Sequence, residues 1–193
     1  MGKNRLEAFS DGVLAIVLTI MVLELKVPHG ETINDLLALL PVFLSYILSF
    51  VYVGIYWNNH HHMLHATKKI SGGVLWANLH LLFWLSLMPF ATGWMGENHF
   101  AAIPTAFYGF VLLMAAISYT ILQRCIIAIE GENAPLALAV GSDIKGKASI
   151  GLYILGMLLA CYWQSIAQLC YVVVALMWLV PDRRIEKVIH VEG

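Results

Sequence analysis

The feature that most constrains this chain is its division into apolar runs of membrane-crossing length, set apart by short clusters of charge. A helix needs about twenty predominantly apolar residues to cross the hydrocarbon core of a bilayer, whereas a barrel strand needs about ten alternating ones. The runs here are continuous rather than alternating, which selects a helical bundle. Of the 193 residues 60% are apolar and 12% charged, against about 25% charged in soluble domains. The fold class that follows is all-α integral membrane, with a single membrane domain.

Apolar stretches bounded by charge and proline predict a six-span helical bundle, with spans at about 8–27, 36–64, 73–95, 103–129, 148–162 and 166–180. These form a transmembrane domain over 1–181, followed by a short cytosolic tail over 182–193. Pro28 and Pro181 follow the first and last spans, and Pro41 and Pro104 fall in opening turns. Pro89 lies inside the third span, where a kink is expected. The last two spans are shorter than an untilted crossing and read as a helical hairpin or a re-entrant pair. Asp11 interrupts the first apolar run and no small-residue cleavage site precedes Glu24, so that run reads as a retained span rather than a signal peptide.

Basic residues set the orientation. With a cytosolic N-terminus, ten of the eleven Lys and Arg residues fall on the inner side and Lys26 alone outside, as the positive-inside rule requires. Both termini are then cytosolic in a cell membrane. Glu24, Glu31, Asp35 and Glu97 leave the outer side net negative. Cys125, Cys161 and Cys170 share no metal-ligand or redox spacing. The chain carries no G-x-S-x-G, paired carboxylates or glycine-rich phosphate loop, so no enzymatic activity is expected. No resident cofactor, metal or nucleic-acid partner is expected either.

Two constellations stand out. Near the start of the first span, Arg5, Phe9, Ser10 and Asp11 place polar groups at the inner membrane boundary, where a carboxylate loses hydration unless it finds a partner. His60, His61 and His62 close the second span on that side, and Asn78 opens the third, which predicts an Asp–His–Asn network joining three helices. His60 and His61 are expected in a buried structural contact, whereas His62 and His65 read as a polar helix end. The second constellation is a stripe. At 100° per residue Ile16, Thr19, Ile20, Leu23 and Val27 share one face of the first helix. That face suits a packing surface or the lining of a path for ions. Val140-Gly141 lies in a loop, outside any span, and shares only two residues with a carbonyl-type potassium filter.

Arg5-x-x-x-Phe9-Ser10-Asp11, Trp57-x-x-His60-His61, Asn78 and Pro89 together resemble the transmembrane protein 175 family of potassium channels. The resemblance covers essentially the whole chain. It implies a homotetramer with a central pore lined by the first helix. It also implies a hydrophobic gate at Ile16 continued by Ile20 and Leu23, Thr19 as the hydroxyl that contributes to ion selectivity, and K+ as the permeant ion. In the family the R-x-x-x-F-S-D residues make contacts between helices. A competing expectation is a small proton-coupled carrier using Asp11 and the His60-His62 cluster.

Overall fold

A computed structural model describes residues 2–141 and 143–179. Among them the chain forms nine helices: α1 (Lys3–Leu23), α2 (Ile33–Leu37), α3 (Leu40–His65), α4 (Gly72–Ser86), α5 (Met88–Glu97), α6 (Ala102–Glu130), α7 (Pro135–Val140), α8 (Ile144–Ala160) and α9 (Gln164–Leu179). The 182–193 tail and Pro181 lie outside the described residues.

Among the described residues four stretches are long and apolar enough to cross a membrane: α1, α3, α4 with α5 taken together, and α6. At 1.5 Å per residue α8 and α9 reach only about 25 Å, somewhat less than the hydrocarbon thickness. They form an antiparallel hairpin, since the Trp178 indole near the end of α9 donates to Ser149 near the start of α8 at 2.9 Å.

The expected second span starts later, at Leu40 rather than at about 36, with Pro41 in its opening turn as expected. Pro41 has no N–H to give the carbonyl of Leu37, and its ring would collide with that carbonyl in a continuous helix. The chain therefore ends α2 at Leu37 and restarts at Leu40, with Pro41 in the first turn of α3. Thr32 and Asp35 close a capping box at the start of α2, and the bonds from Thr32 hold the Asp35 carboxyl below the ordinary carboxylate value. Pro89 acts in the same way, separating α4 from α5 at Leu87, where the sequence predicts a kink. The first span also shifts: α1 begins at Lys3 and ends at Leu23. Val27 precedes Pro28, which disfavours helical backbone there, so Val27 does not continue the stripe.

Consecutive long helices alternate in direction. Lys3 Nζ donates to the carbonyl of His65 at 2.8 Å, and Glu130 accepts from the backbone N–H groups of Lys68 and Lys69. These contacts collect the N-terminus of α1 and the C-termini of α3 and α6 at one end, the basic end. At the other, acidic end, Lys26 pairs with Glu97. Gly131, at φ 101°, terminates α6 in a conformation glycine adopts freely. Gly96 permits close approach of α5 to α3, because a Cβ there would stand 2.8 Å from Val42 Cα. The core lies between α3, α4, α5, α6, α8 and α9, and α1 packs at its edge on α3, α4 and α5.

Candidate functional site: the first helix and its fastening

One side of α1, formed by Leu6, Ser10, Leu14, Val17 and Met21, is buried in the chain. These positions fall within an 80° arc at 100° per residue. Outside that arc, Phe9, Ile16, Thr19, Ile20 and Leu23 form an adjoining stripe of about 100°, all exposed. Ile16 is 60%, Ile20 42% and Leu23 75% accessible. Both sides are largely apolar, so burial rather than hydropathy distinguishes them. The small residues Ala8, Gly12 and Ala15 are exposed beside that stripe.

Thr19 sits within the exposed stripe. Its hydroxyl donates to the carbonyl of Ala15 at 2.9 Å. With the proton spent inside the helix, the oxygen presents lone pairs outward, which suits a cation rather than an anion.

The buried side is fastened by a directional chain of hydrogen bonds. Asn78 Oδ1 lies 2.7 Å from His60 Nε2, and because an amide oxygen only accepts, the histidine donates from Nε2. Asn78 Nδ2 donates to Ser10 Oγ at 3.0 Å, and Ser10 Oγ donates to the carbonyl of Leu6 at 2.9 Å. All three side chains are buried. The chain joins α3, α4 and α1, but its α1 member is Ser10 and not the expected Asp11.

Asp11 lies 100° further round the helix and is exposed. Its carboxylate accepts from the Trp57 indole N–H at 3.0 Å. Trp57 in turn stacks on His61, with ring centroids 6.3 Å apart, and His61 stacks on His65 at 6.1 Å. His61 is therefore exposed on the Trp57 stripe, contrary to the expected buried contact, while His60 is 2% exposed. Adjacent residues on α3 diverge for the same rotational reason as Ser10 and Asp11. Arg5 and Phe9 are exposed on α1.

Trp57 and Asp11 are separate motif members in the sequence, and spacing does not predict the bond between them. The available signal was the shared position of both residues at the basic end of neighbouring spans. Among the described residues no group of three or more His, Cys, Asp or Glu has a metal-binding arrangement. His80 is occupied by Trp84, whose indole donates to its Nε2 at 3.0 Å, and by Ser118 near Nδ1.

Residues 5–89, which hold α1, α3, α4 and their contacts, match the family described as Endosomal/lysosomal potassium channel TMEM175. A protein of Chryseobacterium sp. named a potassium channel is 59% identical over 187 residues, covering 97% of each chain. The chain belongs to the TMEM175 family. The crystal structure of a lysosomal potassium-selective channel TMEM175 homolog from Chamaesiphon minutus superposes with a TM-score of 0.80 at 25% identity. That match covers 93% of this chain and 97% of the other. The human Endosomal/lysosomal proton channel TMEM175 is 38% identical over 96 residues, which is 43% of this chain and 19% of that protein.

Within this TMEM175 chain the motif residues divide by role in packing. Ser10, Asn78 and His60 hold α1 from inside, and Asp11 with Trp57 holds it from the exposed side. The stripe from Ile16 to Leu23 is left uncovered by the chain's own helices.

Proposed function

We propose that the protein is a potassium-preferring cation channel in which the exposed stripe of α1 lines a central pore between four copies of the chain. The observation that carries this reading is the exposure of Ile16, Thr19, Ile20 and Leu23 on a helix whose other side is buried and hydrogen-bonded. The 59% identity to a protein named a potassium channel supplies the ion.

In this arrangement the basic end faces the cytosol of the cell and α8 with α9 completes the six crossings. Four Ile16 side chains close a hydrophobic constriction, with Ile20 and Leu23 continuing the apolar lining toward the acidic end. Water leaves so narrow an apolar collar, and an ion cannot enter without its hydration shell. Opening requires α1 to move and rewet it. Four Thr19 oxygens then replace part of the shell of a passing K+, in place of a carbonyl-type filter.

Replacing Ile16 with Asn tests the gate. Cation flux into liposomes containing the variant is expected to rise several-fold above wild type, and unchanged flux refutes the assignment. Running the assay with K+, Na+ and a proton gradient separates a potassium channel from proton permeation and from a proton-coupled carrier. Asp11 takes no part in the hydrogen-bond chain that holds His60, and its link to the histidines runs through Trp57 to His61.

A further inference from the structure

Away from α1, a cavity of about 60 Å³ opens between α3, α6, α8 and α9 near the basic end. Since one water requires about 10–15 Å³ on this measure, the space accommodates roughly four waters or an organic molecule of about four or five non-hydrogen atoms. Nothing in the pore reading uses it.

Its walls are aromatic and rich in acceptors. Tyr56, Tyr119, Tyr153 and Trp178 contribute rings, and Tyr56 meets Tyr119 edge to face at 6.1 Å. The Lys145 ammonium already stands 5.7 Å from the centroid of Trp178, the distance of a cation–π contact. Several of the polar lining groups direct a proton elsewhere, while a second Asn59 N–H and the Gln123 amide also face the lining. Asn59, Tyr119, Thr120 and Ser149 each donate to a backbone carbonyl, and the Trp178 indole donates to Ser149. Oxygen lone pairs and π faces remain for an occupant. Asp143 lines the same cavity and adds a carboxylate, of which one oxygen accepts from Gly146 N–H at 3.1 Å.

The Asp143 carboxylate repels an anion and, with the ring faces, gives a cation a counter-charge that a neutral alcohol cannot use. We infer that this cavity is a binding site for a small protonated amine, held by cation–π contact with Tyr56 and Tyr119, by hydrogen bonds to the lining oxygens, and by the charge of Asp143. The site lies within one subunit and is distinct from the exposed stripe of α1.

The test is a ligand-observed NMR titration of the purified full-length protein at pH 7 with propylammonium, propan-1-ol and propionate. Saturable binding of propylammonium, about tenfold tighter than propan-1-ol and with propionate weakest, is expected from the charge and cation–π terms. Asp143→Asn keeps an oxygen for the Gly146 cap and is expected to weaken the amine about tenfold, as is Tyr119→Leu. Thr19→Val, which alters only the α1 stripe, is expected to leave amine binding unchanged. Equal binding of amine and alcohol, absence of saturable binding, or loss of binding in Thr19→Val but in neither cavity variant overturns the proposal. Elution volume on size exclusion distinguishes loss of the site from loss of fold. Should one cavity variant not fold, the other decides.

Discussion

Trp57 on α3 donates its indole N–H to the carboxylate of Asp11 on α1 at 3.0 Å, joining the two helices on their exposed side. The acceptor is charged, and hydrogen bonds of this kind are stronger than neutral ones. Trp57→Phe keeps the ring and removes only the donor, so a loss of about 1 kcal/mol in stability is expected. Asp11→Asn retains an acceptor oxygen and is expected to cost less. Asp11→Ala, which removes it, is expected to weaken assembly, read as loss of the oligomer peak on size exclusion. A fully assembled, active Asp11→Ala protein counts against the fastening.

The internal fastening makes a larger prediction. Asn78→Leu deprives the buried His60 N–H of its acceptor and Ser10 of a donor, at a cost of about 2 kcal/mol or more for stranded polar groups. Apparent melting temperature of the purified protein reports the loss. The double variant His60→Phe, Asn78→Leu removes both partners and is expected to be less destabilised than the sum of the single changes.

Thr19 bears on selectivity rather than stability. Its hydroxyl proton is held by Ala15, so Thr19→Val removes only an oxygen from the exposed stripe at nearly constant shape. The K+ over Na+ flux ratio in liposomes is expected to fall about fivefold, the factor corresponding to roughly 1 kcal/mol of lost polar interaction, while total flux persists.

At the acidic end, Lys26 lies three residues beyond α1 and pairs with Glu97 at the end of α5. The hydrogen bond and charge of Glu97 raise the Lys26 pKa above its ordinary 10.5. A raised lysine contributes stability below the ordinary value and loses it as pH climbs through the raised one. Lys26→Met is therefore expected to lower the melting temperature slightly near neutral pH, and the difference from wild type to vanish at strongly alkaline pH. Both partners are exposed, so high salt is expected to shrink the effect as well.

Several of these relationships were legible in the residues. The apolar stripe of α1 and the inner polar motif follow from spacing alone, because helical periodicity is a local property. The break at Pro89 was legible for the same reason. The break before Pro41 was only half visible: proline marked the start of a helix, but nothing local required the preceding apolar residues to form the separate α2. The cavity near the basic end was not legible at all, since Tyr56, Tyr119, Asp143 and Trp178 come from four distant segments.

By itself the sequence determined an all-helical membrane class, the presence of a polar motif near the start of α1, and the set of residues sharing its apolar face. Hydropathy and the 3.6-residue period suffice for these. Only the tertiary structure decided which polar group meets which. Ser10 and Asp11, and likewise His60 and His61, are neighbours in sequence but 100° apart around their helices. The rotation of α1, α3 and α4 against one another turned Ser10 and His60 inward to Asn78 and left Asp11 and His61 outside with Trp57. That rotation is set by long-range packing, and no short stretch of chain encodes it.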